Sequence, residues 1–122
     1  VRPLDLTSRL LFKEWKLGET EPEFTVMRVT VSGESDGYAR TIVYDLHDEY
    51  DPKSQTSSMA RTTGYTATAA IHLIESGVFT EKGLFPPELL GRHEGCFAFF
   101  LKYLAERGIH YKYKEFTERN TQ

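Results

Sequence analysis

Apolar residues recur along this chain with two different periods. Leu6, Leu10, Leu11 and Trp15 fall at helical spacing, and Asp5 or Thr7 is placed to cap the start. Gly18 to Glu23 is turn and loop by composition. From Phe24 to Ser32 the period drops to two. Met27, Val29 and Val31 alternate with Arg28 and Thr30, the pattern of a half-buried strand. Gly33 and Asp36-Gly37 mark a turn. Tyr38 to Leu46 alternates again, with Ile42, Tyr44 and Leu46 on one face and Thr41, Val43 and Asp45 on the other. Two such runs joined by a short Gly-containing loop predict an antiparallel hairpin.

The second half returns to the helical period. Thr62 to Glu75 carries Ala67, Ala70, Ile71, Leu73 and Ile74 and stops at Gly77. The small residues Ala67, Ala69 and Ala70 allow close approach of another element. Glu81 to Gly91 is a loop holding Pro86-Pro87, with one helical turn at Glu88-Leu89-Leu90. Glu94 to Arg107 is the strongest helix, with Phe97, Phe100, Leu101 and Leu104 at i, i+3, i+4 and i+7 and Gly108 as the stop. Ile109 to Phe116 alternates Ile109, Tyr111 and Tyr113 against His110, Lys112 and Lys114, a last strand. The predicted class is α+β: a small mixed, partly antiparallel sheet with helices packed on one face. Residues 1–116 form a single domain, and 117–122 are a polar tail that frays.

Composition narrows the function. The 122 residues carry 15 basic and 18 acidic side chains, a formal net charge of −3. No basic block is present to neutralise phosphates, so nucleic acid is not an expected partner. The Tyr111–Lys114 alternation is then a solvated strand face with tyrosines packed inward. No apolar run is long enough to span a membrane. The lone cysteine, Cys96, excludes an internal disulfide and a cysteine zinc cluster and starts an apolar helix face, where burial is expected. The first ten residues lack a targeting signal, and the cytoplasm is the expected compartment. The chain opens on Val1 rather than Met, as a piece of something longer would.

One segment carries chemical information. Thr56 to Thr66 holds a run of hydroxyl residues at a helix start, with Arg61 and Gly64 among them. Free N–H groups at a helix N-terminus favour an anion, and Arg61 can add a bidentate carboxylate clamp. Gly64 lets a ligand approach. The plainer alternative is a Ser/Thr-rich N-cap with Arg61 in solvent.

Met59-Ala60-Arg61-Thr62-Thr63-Gly64-Tyr65 and its Ala-rich helix resemble the C-terminal part of saccharopine dehydrogenases. So do Phe24-Thr25-Val26-Met27-Arg28-Val29, Glu81-Lys82-Gly83-Leu84-Phe85-Pro86-Pro87-Glu88 and Glu106-Arg107-Gly108-Ile109. The resemblance runs from about Leu6 to Lys114. It implies a parent oxidoreductase using NAD or NADP, acting at the CH–NH bond of a lysine-derived amino acid through an imine. It implies a dicarboxylic amino-acid substrate, a nucleotide-binding Rossmann domain as the chain's own N-terminal partner, and a homodimer. By this analogy Ser57, Ser58, Arg61, Thr62, Thr63 and Gly64 stand at the junction of substrate and nicotinamide. The glycines of this chain never form Gly-x-Gly-x-x-Gly, so the nucleotide-binding domain is absent and the segment alone is expected to be inactive.

Other candidates carry less. Arg28, in mid-strand, either pairs with Asp45 or lines a substrate cavity. Asp45, His47, Asp48, Glu49 and Asp51 crowd the end of the second strand, but without EF-hand spacing they read as a solvated acidic loop, and no metal site is expected. No catalytic acid or base is identified among His72, His93 and His110. Phe97, Phe99, Phe100 and Tyr103 exceed what one helix face needs, which predicts exposed apolar surface for a missing domain or second subunit. The alternative function is a stand-alone module that binds a small carboxylate or dimerises without catalysis.

Overall fold

The computed structural model describes residues 2–18 and 21–119. Helix α1 spans Pro3–Trp15, strand β1 Phe24–Ser35, strand β2 Tyr38–Glu49 and helix α2 Ser58–Glu75. A short 3-10 helix, Pro87–Arg92, precedes helix α3, Cys96–Ala105, and strand β3, Tyr111–Arg119, closes the sheet. The α+β class is as expected. The sheet runs β1-β2-β3 with both pairings antiparallel, so no parallel pair occurs among the described residues.

The hairpin turn is set by Asp36 and Gly37, with φ of 55° and 79°. Two left-handed residues in a two-residue loop match the right-handed twist of the flanking strands. The register pairs Met27 with Leu46, Val29 with Tyr44 and Val31 with Ile42, so the apolar positions share one sheet face. Arg28 and Asp45 pair on the opposite face.

Several boundaries differ from the sequence expectation. Helix α1 opens behind Arg2 with Pro at its start, because a proline there is pre-set for the helix and needs no N–H partner. Asp5 therefore sits inside the first turn. Helix α2 opens at Ser58, one turn earlier than Thr62, since Ser57 caps it. Helix α3 starts only at Cys96, because Gly95 is left-handed with φ 80°. Strand β3 runs from Tyr111 to Arg119, pairing Thr117 with Arg40 and Arg119 with Tyr38. Thr117–Arg119 are thus strand rather than fraying tail, while 120–122 lie outside the described residues.

Two small clusters form the core. Leu46, Leu104 and Ile109 pack together, flanked by Tyr65 and Tyr111. Leu73, Phe79 and Cys96 form the second, flanked by Phe85, Leu90, Phe99 and Phe100. Cys96 is fully buried, as its position predicts. Helix α1 buries no residue, and Leu4, Leu10, Phe12 and Trp15 face water.

Candidate functional site

The start of α2 is built from three directions. The loop after β2 closes on itself through a bridge between Asp51 and Thr56. Inside it, the Asp51 carboxylate accepts the Lys53 N–H at 3.0 Å and the Ser54 hydroxyl at 2.7 Å. This turn delivers Ser57, whose Oγ accepts the Ala60 N–H at 3.1 Å and caps the helix. The buried Ser58 donates its hydroxyl to the Asp48 carbonyl at 3.0 Å. Its N–H donates to the Glu23 carboxylate, just ahead of β1. An internal anion therefore already occupies the positive end of the helix dipole.

Arg61 lies one turn further, on the inner side of α2. Its Nε donates to Asp48 Oδ2 at 3.1 Å and its Nη2 to Asp48 Oδ1 at 3.2 Å. Nη2 also donates to the Arg107 carbonyl at 3.2 Å, and Nη1 to Asp51 Oδ2 at 3.4 Å. The side chains of Arg61 and Asp48 keep only 11 % and 6 % of their exposure. The hydrogen bond with Asp48 raises the guanidinium pKa above its usual value. The Ser54 hydroxyl, the Lys53 N–H and the Arg61 charge hold the Asp51 carboxyl below the usual range. Gly108 completes the nest. Its φ is +81°, and a Cβ there would stand 3.5 Å from Arg61 Nη2.

The six junction candidates thus divide by position. Ser58 is buried, and Ser57, Arg61 and Thr62 are half-buried. Thr62 Oγ1 donates back to the Ser58 carbonyl at 2.9 Å. Thr63 and Gly64 face solvent, and a Cβ on Gly64 would meet nothing within 4 Å. Where the sequence left room for a ligand carboxylate on Arg61, the fold supplies Asp48 and Asp51.

Arg28 is not brought to this segment. It lies on the outer sheet face, with Nε 2.5 Å from Asp45 Oδ1 and Nη2 3.1 Å from Oδ2. Lys114 Nζ reaches the same carboxylate at 3.5 Å. These partners hold Asp45 below its ordinary pKa, the Arg28 hydrogen bond most strongly.

The sequence missed Asp48, Glu23 and Asp51 as the partners that hold α2. The signal for Asp48 was present, since it shares parity with Ile42, Tyr44 and Leu46 and so points inward. A second feature is an apolar groove of about 580 Å³ between the inner sheet face and α3. Met27, Val29, Val31, Tyr44, Phe97 and Leu101 are among its lining residues. Phe97 keeps 50 % of its exposure, in line with the apolar surface expected from the phenylalanine cluster.

The family model for the saccharopine dehydrogenase C-terminal domain matches residues 2–109. The chain belongs to this family. The matched region takes in the Asp48–Arg61 anchor and helices α1, α2 and α3 and ends just before β3. As a saccharopine dehydrogenase C-terminal domain, the chain is related to a dehydrogenase parent in which another domain precedes it. No solved structure gives a significant match. No helix among the described residues is long and apolar enough to cross a membrane.

Proposed function

We propose that this chain forms the second-domain wall of an NAD(P)-dependent oxidoreductase acting on the CH–NH bond of a lysine-derived, dicarboxylic amino acid. The parent works as a homodimer in the cytoplasm. The observation that carries the proposal is the family match over residues 2–109. The cofactor supplies hydride transfer through an imine, and the protein supplies orientation and charge.

The residues described here do not fit a dinucleotide. The start of α2 is filled by Glu23 and Ser57, Arg61 is spent on Asp48, and no Gly-rich turn joins a strand to a helix. Nucleotide binding belongs to the preceding domain, and the segment alone is inactive. Its own contribution is positional. Ser57, Ser58, Arg61 and Thr62 fix the start of α2, while Thr63 and Gly64 present its outer surface to the substrate and nicotinamide. On the same helix Ile71 and Ile74 keep 64 % and 62 % of their exposure, an apolar face for the nucleotide-binding domain to cover.

Substitution at Gly64 in the complete enzyme tests this. A Cβ there meets no atom of this domain within 4 Å and the position faces solvent, so a valine is expected to keep the thermal midpoint within a few degrees. If the outer surface of α2 abuts the reacting groups, kcat/KM for the amino-acid substrate falls by at least about tenfold, some 1.4 kcal/mol of transition-state binding. An unchanged kcat/KM removes Thr63 and Gly64 from the junction.

A further inference from the structure

Among the described residues the sheet has two edges, β1 and β3; β3 carries Lys112 and Lys114, whereas β1 has no lysine, and we propose that β1 pairs antiparallel with β1 of a second copy to form a continuous six-stranded sheet. This rests on the reading of the chain as a homodimer subunit and names the surface that would join the copies.

The backbone sets the geometry. The Glu23 carbonyl accepts the Tyr50 N–H at 2.8 Å, in step with the β1–β2 register. Odd-numbered residues of β1 therefore aim their N–H and C=O groups at β2. Even-numbered residues, from Phe24 to Glu34, aim theirs away from the sheet, where no strand partner exists among the described residues. An edge of 12 residues is long. Natural proteins protect such edges with proline, bulges, lysine or short length. Strand β1 has no proline and no lysine, and its register with β2 is unbroken from Phe24 to Ser35. Its one cation, Arg28, is tied to Asp45.

Side chains select the occupant and the register. A strand pairing antiparallel with itself closes about a two-fold axis, so the assembly stops at two copies. Centring the axis on Val29 sets Val29 against Val29 of the second copy and Met27 against its Val31. Met27, Val29 and Val31, now 39 %, 42 % and 58 % exposed, then form one apolar band across both copies. On the other face Arg28 meets Thr30. Centring on Arg28 would oppose two guanidinium groups, which like-charge repulsion disfavours. The paired edge is roughly 40 Å long and carries about a dozen new N–H···O bonds. A strip about 10 Å wide on each copy hides roughly 800 Å² together. The exposed side chains of Met27, Val29 and Val31 add to this, against the ~1,000 Å² that a specific interface needs.

The test uses the 122-residue chain in sedimentation velocity over a wide concentration range, with three variants. The unsubstituted 122-residue chain is expected at twice its monomer mass. Thr30→Pro removes an N–H that faces away from β2, so far-UV circular dichroism stays unchanged while dissociation rises by at least about tenfold. Val29→Lys opposes two ammonium groups at the axis and carries the same test if the proline variant fails to fold. Val29→Cys places two thiols across a non-hydrogen-bonded pair with Cα atoms about 4.5 Å apart, within disulfide range. A reducible covalent dimer is expected, with the buried Cys96 left out of it. A chain that stays monomeric at every concentration overturns the interface, and a complete enzyme that sediments as a monomer overturns the homodimer reading as well. A dimer that ignores Thr30→Pro and Val29→Lys and gives no cross-link overturns the interface alone.

Discussion

Arg61 grips Asp48 through two nitrogens, at 3.1 Å and 3.2 Å, with both side chains almost withdrawn from water. The pair fastens the start of α2 to the end of β2, and the Arg107 carbonyl adds the turn after α3. Removing one partner leaves the other charged and stranded. Arg61→Ala or Asp48→Ala is expected to cost about 3 kcal/mol, the lower end for a broken buried pair, because the guanidinium keeps a little solvent contact. Urea denaturation gives the number. The Arg61→Met/Asp48→Leu double variant is expected to recover most of the loss, since neither charge is then buried.

The cap of α2 is a separate contribution. Ser57→Ala removes the acceptor for the Ala60 N–H and is expected to destabilise by about 1 kcal/mol. Glu23→Gln keeps an oxygen for the Ser58 N–H but removes the charge at the positive helix end, at about 0.5 kcal/mol. Thermal melts of the two variants and their double should add within error, because the two groups serve different N–H donors.

Leu73 is the largest fully buried side chain of the second core cluster, 1 % exposed. Leu73→Ala is expected to cost about 3 kcal/mol through lost burial and the cavity left beside Phe79 and Cys96. Ile71→Ala, one residue pair away on the exposed outer side of the same helix, is expected to change the unfolding midpoint little. Equal losses at both positions would mean that the outer side of α2 is buried in solution.

Acid should weaken the sheet. Arg28 holds Asp45 below its ordinary pKa of 3.8, and Tyr113 and then Arg40 hold Glu115 below 4.5. With a depressed folded pKa, the unfolded chain binds protons first as pH falls. The stability is complete above about pH 4.5 and drains away below it. Both carboxylates are solvent-accessible, so added salt should shrink the effect. At the other end, burial pushes Tyr111 above 10.0, so its contribution is present below pH 10 and is lost as pH rises through the folded value. Thermal midpoints against pH check both limbs. Asp45→Asn should flatten the acid limb and Tyr111→Phe the alkaline one.

Much of the fold was legible because the periods are clean. Alternation at Met27–Val31 and Ile42–Leu46 gave the hairpin and its inner face, and the i, i+3, i+4, i+7 pattern gave α3. The helix starts were less legible. A run of hydroxyl residues offers several equivalent caps, and only the Asp51–Thr56 bridge chooses Ser57. The anchor was partly legible. Arg61 stood out as chemistry, but its partner sat in an acidic run that reads as solvated by composition. Strand parity buries Asp48 while Glu49 beside it stays exposed, and a composition argument averages over that difference. Arg107 was out of reach, because a backbone carbonyl carries no residue-type signal.

The bond from Arg61 to the Arg107 carbonyl closes a separation of 46 residues. The hairpin can form as soon as Glu49 has left the ribosome, but the anchor waits for Arg107. Strand β3, which emerges after it, then covers the free side of β2. During synthesis the hairpin has two open edges and a guanidinium without its full set of acceptors. A nascent chain arrested before Arg107 should therefore be a target for chaperones and proteases, and emergence of Arg107 and β3 should confer protection abruptly.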